Sequence, residues 1–435
     1  MDKMNTVNKS SNIRVYIYVP LKEERMSISY NHPSSKRQSL RLNIDDLVIF
    51  LYTGVFIFAR IISPNAYRIF TIFFVIYIAL FKIIVGKKLQ LSAGVIWYPI
   101  FIVGALATLF YSSANDLSYY SAIVVTGGLL FAWSQYFDDK TKIRKILNYF
   151  AFWGIIFSVF AFTQANLSPG ARLGNSGTLG YFTNAISFSY YIIVITSILI
   201  WHYIYEAKYR FVVLPSIVLS FYLAMMSGGR KAVILPLVFL IVLVWLKNAK
   251  SFVKLLFSSV MITAILFGAY QLSMNVPQIY DVFGYRIEQT VQSLLLRDTS
   301  IEASLSGRTV AFSGGLYQFS QSPIIGHGLG VSGILLTRSH NWSSHTHNNY
   351  VELLVSGGLL LFFAFYWIYA YILSRLIRIR KTTSNGLSHF FIAFIIMNLL
   401  SDFGTTSYHL LIFNNFIVLA STYIRYESQM IKVDS

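Results

Sequence analysis

The chain has 435 residues, 55% of them hydrophobic and only 12% charged, and its mean hydropathy is +0.59. That balance excludes an ordinary soluble domain. The formal net charge of +18 would suggest nucleic acid in a soluble protein. Here most of it falls in short polar stretches such as Lys140-Thr141-Lys142-Ile143-Arg144-Lys145, where membrane topology and anionic headgroups account for it and no nucleic-acid partner is expected.

In chain order, residues 1–43 form a polar arm with eight cations. The arm lacks the charged start, short apolar core and small-residue cleavage site of a signal peptide, so the first apolar run is expected to stay in the protein. From Ile44 to Ile424, runs recur that are long enough to cross a hydrocarbon core about 30 Å thick. They predict twelve helices, over 44–62, 66–85, 89–111, 117–137, 146–165, 181–205, 211–226, 232–246, 252–271, 351–373, 388–403 and 409–424. Residues 425–435 are read as a tail. No internal repeat or low-complexity linker divides the chain, so 44–424 is read as one transmembrane domain.

With both termini cytoplasmic, 26 of the 35 Lys and Arg fall inside and nine outside, the bias expected of cytoplasmic loops. Two outer loops are long. The first, 166–180, is rich in turn formers and carries Arg172; the second, 272–350, is long enough to hold structure of its own. Within it, Val282, Tyr285, Val291, Leu294 and Leu295 fall near helical spacing and predict an amphipathic helix on the membrane surface. A second short helix is predicted over Thr309–Phe319, ended by Ser322-Pro323 and followed by a turn at Gly326, Gly328 and Gly330. That glycine spacing does not fit a dinucleotide fingerprint.

All nine outer cations but Lys231 are arginines, and a guanidinium offers a fixed fork of donors suited to phosphate oxygens. Arg230, in Ser227-Gly228-Gly229-Arg230-Lys231, sits at a short turn. It is either an interfacial anchor or an anion ligand, and the same alternatives hold for Arg172, Arg286, Arg297, Arg308 and Arg338. Asp281, Glu288, Asp298 and Glu302 share the long loop and could take some of these arginines as ion pairs.

His347 precedes the tenth predicted helix, whose positive end disfavours an imidazolium and leaves a neutral base, or else a polar cap. His340, His345 and His347 are the alternative metal ligands, although no carboxylate is near in sequence before Glu352. Asp402, inside an apolar run, calls for a buried partner or a functional role. The chain has no cysteine, which excludes disulfides, thiolate catalysis and cysteine metal sites.

Several of these segments resemble the O-antigen ligase and O-antigen polymerase superfamily. They are Ser306-Gly307-Arg308, Ser322-Pro323-Ile324-Ile325-Gly326-His327-Gly328, and His347-Asn348-Asn349-Tyr350-Val351-Glu352-Leu353-Leu354 with Gly357-Gly358. Ser227-Gly228-Gly229-Arg230 and Ser401-Asp402-Phe403 resemble it more weakly. The resemblance implies an all-α polytopic, GT-C-like glycosyltransferase of the bacterial inner (cytoplasmic) membrane, acting outside the cytoplasm without metal or cofactor and inverting the sugar carbon it attacks. It implies catalytic roles for His347, Arg308 and Arg230, and substrate binding by Arg172, Asn348, Tyr350, His345, Asp402 and Arg338.

The partners implied are an undecaprenyl-diphosphate-linked oligosaccharide, the lipid membrane, and a chain-length regulator or flippase. The run from His347 into Leu-Leu-Val-Ser-Gly-Gly looks more like polymerases of surface and capsular polysaccharides than like ligases that load a lipid A core. From another class, a lipid-linked oligosaccharide flippase or transporter would also have about twelve helices, but usually in two matching halves.

Overall fold

The computed structural model describes residues 44–62, 64–86, 89–113, 117–137, 139–164, 172–173, 185–206, 209–296, 303–340, 344–382 and 386–433. The arm 1–43, most of loop 166–180, Arg297, Asp298, Glu302 and the side chains of Leu294 and His340 lie outside the described residues.

Helices occupy all twelve predicted places. They are α1 (Ile44–Ile62), α2 (Pro64–Tyr77, continued as a π-helix over Ile78–Val85), α3 (Ala93–Ala107), α4 (Ser118–Tyr136), α5 (Lys140–Thr163), α6 (Ala185–Tyr205), α7 (Arg210–Met226), α8 (Arg230–Asn248) and α9 (Phe252–Asn275). Four shorter helices follow: α10 (Pro277–Ile279), α11 (Tyr285–Leu296), α12 (Ala303–Gln321) and α13 (Ser332–His340). The chain then re-enters the bundle as α14 (Asn349–Thr382), α15 (Gly386–Asp402) and α16 (Leu411–Val433).

No strand occurs among the described residues. Six helical stretches there are long and apolar enough to cross a membrane: Ala93–Phe110, Lys140–Thr163, Ala185–Tyr205, Arg230–Asn248, Phe252–Asn275 and Asn349–Lys381. Shorter apolar helices cover Ile69–Ile84, Arg210–Met226 and Gly386–Asp402. This is an all-α, multi-pass membrane protein, since in hydrocarbon a helix satisfies its backbone groups internally.

Two predicted boundaries move. The fifth helix begins at Lys140, with Asp139 as its N-cap accepting from Thr141 N–H, so the run Lys140–Lys145 is helical. Its Lys142 and Lys145 reach Asp45 and Asp46 at the start of α1. The tail is helical as well: α16 runs on to Val433, where buried Glu427 pairs with Lys140 and Tyr426 donates to Phe137 O at 2.6 Å. Both shifts come from ion pairs between helix ends, which hydropathy does not register.

At the centre, α6 packs on α7 and α8, α8 on α15, and α14 on α3 and α15. Polar tips tie the apolar helices together where no water competes. Trp97 Nε1 donates to Phe365 O at 2.7 Å, Trp201 Nε1 to Gly386 O at 2.9 Å, and Asn398 Nδ2 to Tyr369 OH at 3.0 Å.

The tenth predicted helix, α14, is broken at Gly357 and Gly358, the latter at φ 61°. The segment Pro323–Gly328 fills the break. His327 N–H and Gly328 N–H donate to Val355 O and Ser356 O, each at 2.8 Å, and Leu359 N–H donates to Pro323 O at 2.9 Å. Glycine is required on both sides, because a Cβ on Gly326 would lie 2.6 Å from Gly357 N and one on Gly358 would collide with the Ile324 carbonyl.

Candidate functional site

A cavity of about 860 Å³ is lined by residues from α1, α4, α6, the turn into α8, α11, α12, the loop before α14 and segment 404–412. Five cations reach it, Arg172, Arg230, Lys231, Arg286 and Arg308, together with His345, His347 and His409, and no carboxylate is among its lining residues. One flank is apolar. Phe56, Val125, Leu129, Ile186 and Ile193 line it, and Val125 and Ile186 are exposed.

The turn between α7 and α8 organises the first cations. Ser227, buried, caps its own turn by accepting from Gly229 N–H and lies 3.1 Å from Ser189 Oγ on α6. Gly228 has φ +63°, and a Cβ there would sit 2.7 Å from Arg172 Nε. Arg172 can therefore donate to Ser227 O at 3.1 Å, while Arg286 of α11 donates to Gly228 O at 2.9 Å. Burial first, then Arg286 nearby, lowers the Arg172 guanidinium to about 10. Arg230 begins α8 and bonds Thr290 of α11.

A second group forms across Gly404. Lys231 Nζ donates to Thr405 Oγ1 at 2.5 Å and approaches Ser401 O at 3.4 Å. A Cβ on Gly404 would stand 2.6 Å from Lys231 Nζ and 3.8 Å from an Arg308 terminal nitrogen, so the two cations share one small space.

His347 faces that group from the loop before α14. It lies in the left-handed region at φ 54°, which a non-glycine residue occupies at a cost of about 1–2 kcal/mol. The surrounding bonds hold it there. Asn348 caps α14, its Oδ1 accepting from Tyr350 N–H at 3.0 Å and Val351 N–H at 3.1 Å. Buried Glu352 accepts from Thr346 N–H at 3.2 Å, from Thr346 Oγ1 at 2.8 Å and from Ser332 Oγ at 2.7 Å.

Burial, with His345, Arg308 and Lys231 adding positive charge, lowers the His347 imidazole to about 4. At neutral pH it is an unprotonated base. The His345 ring centroid is 4.2 Å away, and Ser344 Oγ lies 3.4 Å from His345 Nδ1 and 3.3 Å from His347 Nε2. Among the described residues no three His, Asp or Glu side chains gather as a metal site.

Of the residues singled out from sequence, Arg172, Arg230, Arg308, His345 and His347 therefore converge on one cavity. Asn348 is a buried cap beside it. Tyr350 packs on Tyr366 with centroids 4.8 Å apart and donates to Leu399 O at 2.7 Å. Asp402 is fully buried, accepts from Tyr366 OH at 2.7 Å, and is not among the lining residues. Arg338 is exposed on α13, away from the cavity lining. The glycine motif around His327 is likewise absent from the lining; its backbone closes the α14 break, and His327 Nε2 lies 2.8 Å from Gln318 O.

Sequence reasoning did not place Lys231, Arg286 or His409 in a site, nor give Glu352 a role of its own. Lys231 offered one signal, as the lone outer lysine directly after Arg230.

No curated protein matches the chain. Residues 215–366 match the family model described as O-antigen ligase. This segment, about a third of the chain, carries Arg230, Lys231, Arg286, Arg308, His345 and His347, and over it the chain is similar to that family.

Proposed function

We propose that the protein is a polysaccharide polymerase that moves glycan from an undecaprenyl-diphosphate donor onto a repeat-unit acceptor carried on the same kind of lipid. The observation that carries this reading is a cavity combining a neutral imidazole, five cations without a lining carboxylate, and an exposed apolar flank. An amphiphile with a charged diphosphate and a long hydrocarbon tail matches both halves of that lining.

In the proposed reaction His347 takes the proton of an acceptor hydroxyl as its oxygen bonds to the sugar carbon bearing the diphosphate. The carbon–oxygen bond to the diphosphate breaks on the opposite face, so the carbon inverts and the bonding pair leaves with the lipid diphosphate. Arg308 and Arg230 neutralise the charge that grows there. Arg172 and His345 help hold the substrate, while Asn348, Tyr350 and Asp402 act from behind the cavity wall. Arg338 takes no part in this scheme.

The positive-inside bias supports an orientation in the cytoplasmic membrane with the cavity outside and both termini inside. A ligase, passing finished polymer to a lipid A core, is the second reading, and the family description favours it. Deletion of the gene separates the two. Loss of a polymerase leaves single repeat units on surface glycan gels, whereas loss of a ligase leaves full-length polymer on the lipid carrier. A flippase would show no transfer when purified protein is given donor and acceptor lipids, and that outcome would overturn both enzymatic readings.

A further inference from the structure

Arg230 and Lys231 occupy the first two positions of α8, whose N-terminus carries partial positive charge. Helix electrostatics disfavours both, so helix stability does not explain them. Arg230 turns to Thr290 of α11, whereas Lys231 turns to the end of α15. The partners of Lys231 are neutral, a threonine hydroxyl and a backbone carbonyl. No carboxylate lies within 4 Å of its ammonium among the described residues. The nearby Asp402 is already engaged by Tyr366 and Asn349.

Across Gly404 a second cation, Arg308, lines the same cavity. Asp402 behind the cavity wall attracts Lys231, but a single carboxylate does not offset two neighbouring cations. The small residue at Gly404 makes room for the Lys231 side chain, and an anion entering the cavity that Lys231 and Arg308 both line would balance the remaining charge. His347 borders the same group.

We propose that Lys231 is a further catalytic residue: paired with Arg308 across Gly404, it contacts the departing diphosphate on the side of the cavity nearest the base. This rests on the reading of the cavity as a glycosyl-transfer site. With the diphosphate bound between it and Arg308, Lys231 donates hydrogen bonds to the diphosphate oxygens as an ammonium, so it stabilises the leaving group without passing a proton to it. Arg230 and Arg308 alone would leave the face of the diphosphate toward Thr405 without a donor that can rotate to follow the oxygen as its bond lengthens. A lysine has that freedom, and an arginine fork has less.

The test compares full-length wild type, Lys231→Met and Lys231→Arg in detergent. Transfer from a lipid-linked repeat unit is measured across pH, binding is measured with undecaprenyl diphosphate as the probe, and melting temperature is followed. Lys231→Met should lower kcat about 10- to 100-fold, the range expected for one charge-assisted contact, with KM changed less. It should also weaken binding of the probe, and Lys231→Arg should recover much of both losses.

The acid limb of the pH profile should shift to higher pH in Lys231→Met, because one positive neighbour of His347 is removed. His345 from the same loop and Arg308 from α12 remain; Glu352 of α14 is turned to Thr346 and Ser332. A merely structural lysine would lower the melting temperature and leave probe binding and kcat per folded molecule unchanged, and that result overturns the proposal. So does wild-type kcat and probe binding in Lys231→Met. If wild type itself neither binds undecaprenyl diphosphate nor transfers glycan, the functional reading falls, and this proposal with it.

Discussion

Glu352 holds the residue that precedes His347: both the N–H and the hydroxyl of Thr346 donate to its Oε2, at 3.2 and 2.8 Å. Its other oxygen accepts from Ser332 at the start of α13. A carboxylate one turn into α14 thus ties the histidine loop to two helices. Its position is set by the helix, so the loop inherits the helix's rigidity.

The first prediction follows from that link. Glu352→Ala leaves Thr346 and Ser332 without their acceptor and frees the strained backbone at His347 to relax. Transfer should drop at least about 10-fold through kcat, since a small misplacement of a reacting group is enough for such a loss. Glu352→Gln keeps one acceptor oxygen and should be milder. Steady-state kinetics of the two variants check this, and equal activity in Glu352→Ala and wild type would show that the link is dispensable.

His347→Ala should remove detectable transfer while leaving membrane insertion intact, because general base catalysis contributes about 100- to 10,000-fold. His345→Ala should cost less. With the imidazole lowered to about 4, activity in wild type should stay level from neutral pH down to about 5 and fall only below that. Unfolded, the same histidine takes its proton near 6.5. The unfolded state therefore binds more protons between these values, and this group makes the fold less stable as pH falls through that window. An acid limb centred near 6.5 would contradict the burial of His347.

Arg308→Lys and Arg230→Lys keep charge and lose the guanidinium fork. Both should reduce polymer formation about 10-fold or more at normal protein abundance, as expected for lost charge-assisted contacts. The glycan ladder in cells expressing each variant is the measurement. Ladders like wild type would leave these two arginines as interfacial anchors.

Gly358→Ala should destabilise the protein by about 1–3 kcal/mol, the cost of a strained backbone or worse, since the new Cβ meets the Ile324 carbonyl at positive φ. A thermal melt in detergent measures it. Activity per folded molecule should suffer less than stability, because the break in α14 lies behind the cavity wall.

Topology can be read by labelling, as the chain has no cysteine of its own. Ser313 and Ser320 are exposed on α12, whereas Ser332 is buried against Glu352. Ser313→Cys and Ser320→Cys should react with an impermeant maleimide in cells whose outer layers are permeabilised. Reaction only after lysis of the inner membrane would reverse the orientation.

The sequence alone determined the class of this protein and where its helices run. Each membrane helix is specified by its own apolar stretch, since hydrocarbon leaves the backbone few alternatives, and the excess of cations on alternate loops supports one orientation. The same local reading picked out His347, Arg230 and Arg308 as residues out of keeping with their surroundings. The glycine motif around His327 makes backbone bonds to the broken α14. Asp402 and Arg338 are not among the residues that line the cavity.

Only the tertiary structure decided which charges meet. The cations of the cavity come from positions 172, 230, 231, 286 and 308 and its histidines from 345, 347 and 409; no local periodicity links segments so far apart in the chain. Lys231 and Arg308 share a space because Gly404, from a third segment, has no side chain to fill it. Their proximity is a property of helix packing, which depends on how all the apolar faces fit together at once.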